Sequence, residues 1–364
     1  MRDQPPGVPG AAAALLARAA SADGRERTRL RHAIDDLFLP DESRLDERTR
    51  ANLSATMRGL IATVEGEVGA HAARLLGGRG EGALAERLMT GEPAIADRLI
   101  ASGLLRDHEL IGELLGRVLE TQVGGALPIT APPHPDRPSL AARLARSPDR
   151  VVAAGALALI IAGGARQAAG DEPPARTDLP AELHHRLVWW VAAALRARGA
   201  GDGEAPAALD RALAEAAQRS LAAHDEGERL EAVAGRLAAA LDAQPDEIGG
   251  LLLECLSDRN LPLFVAIFGR ALGVDYPTAR AVVLDPAGER LALGLQALAL
   301  PRETLAQIGL ALAEADPRRS EETLPDSVDA AAALAPEAAR ARLAPLRMHP
   351  HYRAALLALD ETGR

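Results

Sequence analysis

Apolar residues recur at intervals of three and four along most of this sequence, and the clearest run follows Asp46. Its apolar positions are Leu53, Met57, Leu60, Ile61, Val64, Val68, Leu75 and Leu76. This spacing places the side chains on one face of a long amphipathic α-helix. We predict Asp46 as its N-cap, with Glu47 in the first turn, and an end at the glycines that follow Leu76.

The rest of the chain shows the same pattern in shorter stretches, which proline, glycine or aspartate separate. Alanine and leucine supply most of the apolar residues, while the β-branched and aromatic residues that favour strands are scarce. We therefore predict an all-α fold of about fourteen helices joined mostly by tight loops. Antiparallel helix pairs stacked as an irregular HEAT-like α-solenoid fit this pattern, and a single bundle with irregular additions is the alternative.

Regions rich in proline and glycine indicate the domain organisation. Residues 1–10 are predicted to be a disordered N-terminus, followed by an N-terminal helical domain at 11–162. A proline-rich loop interrupts this domain at 121–138. The segment 163–181 is the predicted linker, and 182–364 the predicted C-terminal helical-repeat domain.

Charge and composition exclude several classes of protein. The net charge is −10 and the arginines are interleaved with acids, which argues against nucleic-acid binding. The chain contains no lysine, so P-loop, Schiff-base and kinase-type lysine chemistry is excluded. Cys255 is the single cysteine and has apolar neighbours, so we interpret it as a small buried hydrophobe rather than a reactive thiol.

Membrane and export signals are weak in this sequence. The longest apolar run, VVAAGALALIIA at 151–162, is shorter than the roughly 20 residues that a bilayer span requires. We interpret it as a buried core helix. At the N-terminus three prolines precede a segment that is mostly alanine, and this stretch lacks the pattern of a secretory signal. The protein is therefore expected to be cytoplasmic and not bound to membranes.

Three segments resemble a known family. They are LFLPDESRLDERTRANLSATMRGLIATVEGEV at 37–68, PAIADRLIASGLLRDHELIGELL at 93–115 and RNLPLFVAIFGRALGVDYPTARAVVLDP at 259–286. Over roughly residues 30–360 the chain resembles a bacterial, mainly alphaproteobacterial, domain-of-unknown-function family with HEAT-like helical repeats. The resemblance implies a helical-repeat fold and a regulatory or scaffolding role, and it brings no known reaction.

No pattern in the sequence indicates catalytic, cofactor-binding or metal-binding residues, and we expect none of these and no enzymatic activity. His184 and His185 are adjacent on a predicted helix, so their side chains diverge and do not share a metal. His349 and His351 flank a proline in a predicted surface turn, without the further ligands that a metal site requires. His71, on the long amphipathic helix, is the candidate for a phosphotransfer histidine.

The few aromatic residues mark candidate interaction sites. Trp189 and Trp190 point to different faces of one helix, so we expect one in the core and the other partly exposed, where it would anchor an interface. Phe264 and Phe268 are four residues apart and form a predicted core stripe. The candidate interaction residues are Trp189, Trp190, Arg270 and Tyr276.

These features favour a non-catalytic scaffold, of a kind that can serve regulation, which binds another protein of unknown identity in a bacterial cytosol. A homodimer is the alternative assembly. The alternative function is a sensor of a small anionic ligand, with a pocket between the two helical halves near the linker at 163–181. A histidine phosphotransfer-like signalling protein is the third hypothesis.

Overall fold

The computed structural model describes residues 44–90, 94–128, 138–168, 176–200 and 206–362. Within these residues every regular element is helical, with 17 α-helices, two short 3₁₀-helices and no strand. The all-α prediction is confirmed, and the helices outnumber the fourteen expected. The predicted disordered N-terminus at 1–10 lies outside the described residues.

The helices after the first one are shorter than its 32 residues and range from 5 to 20 residues. In chain order they are α1 (Glu47–Gly78), α2 (Gly82–Thr90), α3 (Ile95–Ser102), α4 (His108–Ala126), α5 (Leu140–Leu144), α6 (Arg150–Ala168), α7 (Ala181–Ala200), α8 (Ala207–Ala223), α9 (Leu230–Leu241), α10 (Ile248–Ser257), α11 (Leu261–Leu272), α12 (Tyr276–Val283), α13 (Glu289–Ala297), α14 (Arg302–Ala315), α15 (Leu324–Ala332), α16 (Pro336–Leu343) and α17 (Pro350–Thr362). The 3₁₀-helices are Glu226–Glu228 and Ala344–Arg347.

Helix α1 has the cap and the buried stripe predicted for it. The Thr49 backbone N–H donates to Asp46 Oδ1 at 2.8 Å, which satisfies one of the free N–H groups of the first turn. The fully buried members of its apolar stripe are Ile61, Val64, Val68 and Leu76. The helix ends at Gly78, as expected.

The chain divides into two compact units, Met1–Ala51 and Asn52–Arg364. The second unit contains two hydrophobic clusters. Cluster 1 combines buried residues between 60 and 114 with residues between 179 and 217. Cluster 2 combines residues between 123 and 159 with residues between 230 and 343.

Each cluster therefore draws side chains from both sides of the predicted linker at 163–181. Residues 163–168 also continue α6 as helix instead of forming a loop. The division of the chain at this linker remains a prediction from composition. In the described residues, hydrophobic packing joins helices from before and after this segment.

Helices that are neighbours in the chain pack as pairs, as in α7 with α8, α10 with α11 and α14 with α15. Other contacts join helices that are distant in the chain. Helix α6 packs on α9, and α13 packs on α16. These longer-range pairings make the stacking of the second unit an irregular solenoid.

Helix α11 is the most deeply buried element of cluster 2. Asn260 caps it by accepting a hydrogen bond from the Leu263 N–H at 3.3 Å. Phe264 and Phe268 are fully buried, with stacked rings whose centroids lie 6.1 Å apart. The core stripe predicted from their spacing is confirmed.

The packing around Phe268 predicts a steric effect at Gly294 in α13. A β-carbon at Gly294 would lie 2.5 Å from Phe268 Cζ, whose ring is buried and has no free space to move into. We expect Gly294→Ala to lower the free energy of unfolding by about 1–3 kcal/mol, measured by denaturant unfolding.

Gly112 in α4 is the matched control, because nothing lies within 4 Å of the β-carbon that alanine would add there. Gly112→Ala is expected to stabilise the protein by up to about 1 kcal/mol, through helix propensity alone. Equal effects of the two substitutions would contradict the close packing of α13 on α11.

Candidate functional site

Helix α6 exposes an apolar face to solvent. Its exposed apolar residues, with the exposed fraction of each, are Val151 (69%), Leu157 (51%), Ile160 (45%) and Ile161 (71%). On the opposite face Val152, Ala156 and Leu159 are buried in cluster 2. The prediction of a buried core helix at 151–162 is therefore wrong for one side of the helix. Apolar residues surround the helix axis, but only one face packs against other helices.

The position of α6 is set by its N-cap and by close packing on α9. Asp149 Oδ1 accepts hydrogen bonds from the N–H groups of Val151 at 2.7 Å and Val152 at 3.3 Å. A β-carbon at Gly155 would lie 3.3 Å from Leu237 Cδ1, so the glycine permits the short separation of the two helices. This packing turns the other apolar face outward.

The same helix is long and apolar enough to span a membrane by length and composition. The window Arg150–Gln167 has a mean hydropathy of 1.2, and 17% of it is buried. One such helix among the described residues is weak evidence for a span. Its buried face packs on α9, and its last turn carries Arg166, which belongs to the ionic network described below.

Charge at α6 is confined to its ends. Between 151 and 165 the helix contains no charged residue. Arg146 and Arg150 are exposed at its N-terminal end. Neither makes an ion pair within the part of the chain that the structure describes. The face therefore consists of an apolar strip with positive charge at one end.

The C-terminal end of α6 is held by a buried network that we call the charge cluster. It comprises Arg117, Arg166, Arg229, Arg280, Glu113, Glu120, Asp178, Glu231 and the hydroxyl of Tyr276. Four guanidinium groups face four carboxylates, so the formal charges balance. The residues come from α4, α6, α9 and α12 and from the segments before α7 and α9, which lie far apart in the chain.

Glu113 and Glu231 are the acceptors that connect the arginines. Glu113 accepts from Arg117 Nε at 2.8 Å and from Arg280 Nη2 at 2.5 Å. Glu231 accepts from Arg166 Nη2 at 2.8 Å, and Arg166 also donates to Asp178. A β-carbon at Gly116 would lie 2.8 Å from the Arg280 guanidinium, so this glycine lets the side chain lie directly against α4.

Burial and charge act in opposite directions on the acids of the cluster. Burial alone would raise the pKa of Glu231, but Arg117, Arg166 and Arg229 lower that pKa to about 2. Burial dominates at Glu120, where it raises the pKa despite the nearby Arg280 and the hydrogen bond from Tyr276. Burial also raises the pKa of the Tyr276 hydroxyl, which donates to Glu120 Oε1.

The structure does not bring the four candidate interaction residues together. Trp189 is 37% exposed and donates to His185 Nε2 at 3.2 Å, whereas Trp190 packs against cluster 1. Arg270 is exposed and pairs with Asp242 at 3.3 Å. Tyr276 packs against cluster 2, with its hydroxyl in the charge cluster.

The histidines occupy separate environments. His184 is buried and stacks on His224 with ring centroids 4.0 Å apart, and its Nδ1 lies 2.7 Å from Thr177 Oγ1. His185 is exposed, so the two adjacent rings diverge as expected. The described residues contain no group of three His, Cys, Asp or Glu side chains that could hold a metal ion.

His71, His349, His351 and Cys255 are the other residues whose type suggests a chemical role. The rings of His349 and His351 lie 5.3 Å apart. His71 is half-buried on α1, with its Nδ1 3.3 Å from Arg74 Nη2. Cys255 is fully buried and burial raises the pKa of its thiol, which confirms its interpretation as a core residue.

Comparison with known proteins identifies one family. A family model described as "Uncharacterised protein conserved in bacteria (DUF2336)" matches residues 134–344. The segment 259–286, on which the resemblance in part rests, lies inside this range, and the segments 37–68 and 93–115 lie before it. No curated protein and no solved structure matches the chain.

The charge cluster predicts that Glu231 contributes far more to stability than an exposed glutamate close by. Glu231→Gln would leave buried arginines without their shared acceptor, and we expect a loss of about 3–5 kcal/mol in the free energy of unfolding. Glu228→Gln is the control, because Glu228 is 62% exposed in its pair with Arg176. It should cost less than about 1 kcal/mol in the same denaturant titration. Similar losses for both variants would contradict a structural role for the cluster.

The environment of His184 predicts a loss of stability in mild acid. Burial, followed by the neighbouring His224, lowers the pKa of His184 from 6.5 to about 4. Between these values the unfolded chain binds a proton that the folded protein excludes, so stability falls as the pH is lowered from about 6.5 to 4.

Melting temperatures measured between pH 7.5 and pH 5 test this expectation, since the carboxylates with lowered pKa lose their contribution only at lower pH. The fall should be smaller in His184→Gln, which cannot be protonated. Parallel pH profiles for the two proteins would show that His184 does not cause the effect.

Proposed function

Since this chain belongs to the uncharacterised bacterial family DUF2336, we propose that it is a non-catalytic scaffold that binds another protein through the exposed apolar face of α6. The observation that carries the proposal is the exposure of Val151, Leu157 and Ile161 on one helix. Contiguous apolar surface of this kind on a folded protein is typical of a binding site.

The face is suited to the helix-in-groove mode of recognition. Anchors spaced by three or four residues along a helix insert into an apolar groove of a partner. Burying a side chain such as Ile161 in this way contributes about 1.5–3 kcal/mol. Leu157 and Ile161 are four residues apart, which is the spacing that this mode requires.

Charge at the ends of α6 indicates the chemistry of the partner. Arg146 and Arg150 lie at one end of the face, and the described part of the chain provides no carboxylate for either. We infer that the partner presents an apolar groove with aspartate or glutamate at one end. Complementary charges of this kind set the orientation of a helix in its groove.

The face is held rigid before a partner binds. Asp149 caps the first turn of α6, and Arg166 in its last turn is bound to Glu231 and Asp178. A helix held at both ends loses little conformational freedom on binding, so more of the contact energy appears as affinity.

Ile161→Arg tests this role. Ile161 is 71% exposed, so arginine is accommodated without disturbing the fold, but it places a charge in the apolar groove of the partner. We expect a near-stoichiometric partner, captured by the tagged protein from its native host lysate, to bind at least about tenfold more weakly, a loss of about 1.4 kcal/mol.

Leu310→Arg in α14 is the control, because Leu310 is also exposed, at 46%, and lies on another helix. Partner binding should be retained in this variant. Equal capture by the wild type and Ile161→Arg would overturn the proposal. Binding to lipid vesicles that Ile161→Arg abolishes would also overturn it, by assigning the face to a membrane.

A further inference from the structure

A small pocket lies between α13, α14 and α15, away from α6. Its volume is about 50 Å³, which is room for a few water-sized groups. Leu291, Leu295, Leu305 and Val328 supply apolar lining, and Ser320, Thr323 and Ser327 supply hydroxyl groups. Its charged lining residue is Arg319.

Arg319 is buried, and its ion pair with Asp316 is long and shared with a second arginine. Its side chain is 7% exposed, and its Nε makes no hydrogen bond with the described residues. The nearest carboxylate, Asp316, lies 3.7 Å from Nε and is already bound by Arg318 through both oxygens, each at 2.8 Å. The Arg319 Nη2 instead donates to the backbone carbonyl of Val283.

The surroundings of Arg319 leave one positive charge uncompensated. Asp285 is bound by Arg290 at 2.8 Å, just as Asp316 is bound by Arg318. Three guanidinium groups therefore share two carboxylates. Glu321 and Glu322, next in the chain, are exposed and do not line the pocket.

A glycine brings the backbone close to the guanidinium. Gly288 has φ of 72°, a conformation that residues with a side chain rarely adopt. A β-carbon there would lie 3.3 Å from Arg319 Nη1. Gly288 and Arg319 both line the pocket, and the glycine leaves room beside the guanidinium there.

We propose that this pocket binds a small aliphatic carboxylate of about two to four carbons, with its carboxylate on Arg319 and its alkyl chain against the leucines. A buried guanidinium that shares its carboxylate with another arginine favours an additional anion, and its planar N–H groups match a carboxylate. The apolar lining favours an alkyl chain over a fully hydrated ion such as phosphate. The small volume favours a ligand of few carbons. This site is independent of the α6 face, and it lies elsewhere than the pocket between two halves that the sequence suggested.

Butyrate is the probe, and neutral butyramide of the same shape is the control ligand. We expect butyrate to raise the melting temperature saturably at millimolar concentration, at ionic strength held constant with chloride, and butyramide and inorganic phosphate to have no such effect. A ligand of so few atoms reaches only weak affinity, so amide chemical shifts in NMR titrations supply the second readout.

Arg319→Gln should abolish the butyrate response, and Arg340→Gln, which removes an exposed arginine paired with Glu337, should retain it. Ser327→Leu keeps Arg319 and fills the pocket, so it should abolish binding even if Arg319→Gln fails to fold.

Equal responses to butyrate and butyramide, a response retained in Ser327→Leu, or no saturable response in the wild type would each overturn the proposal. Saturable binding of phosphate but not butyrate would overturn the assignment to a carboxylate.

Discussion

The balance of four arginines and four carboxylates in the charge cluster is the constraint on which the second unit depends. A buried ion contributes to stability only if every partner is present, because each partner that is lost leaves a charge in a medium of low polarity. Helix α4 carries Glu113 and Arg117 into this network, and its apolar residues belong to both hydrophobic clusters: Leu110 and Leu114 to cluster 1, Val123 to cluster 2. Where the two clusters adjoin, the ionic contacts therefore determine which helices pack together. Apolar packing alone would not determine this.

The exposed face of α6 is a consequence of the same arrangement. Arg166 reaches Glu231 and Asp178, and these contacts act together with the packing on α9 to fix the rotation of the helix about its axis. With Val152, Ala156 and Leu159 turned toward α9, the remaining apolar side chains have only solvent beside them. An exposed apolar face and a buried core face thus share one helix, and the ionic contacts at its end help to hold the two faces in place.

Periodicity predicted those parts of the fold in which one helix face is apolar and the other polar. Helix α1 has this contrast and was predicted with its cap. In α11 the spacing of Phe264 and Phe268 predicted that both are buried, although most of this helix is buried on every side. The two faces of α6 could not be separated, because apolar residues surround its axis. The charge cluster was missed for a related reason: Glu113 and Arg117 are four apart, the spacing of an ordinary surface pair, and only tertiary packing buries them. The sequence signal that could have indicated their burial was the apolar residue directly after each of them, Leu114 and Val118.

The path of the charge cluster through the chain bears on which fragments of this protein can fold. The residues that match the family begin at 134, after α4 has ended. A fragment cut at that boundary would retain Arg166, Arg229 and Arg280 but lose the acids that α4 supplies. Three guanidinium groups would then compete for Glu231 and Asp178 in a site from which water is largely excluded. The segment that matches the family model is thus smaller than the segment that pairs its buried charges. We therefore expect a fragment that folds on its own to include α4.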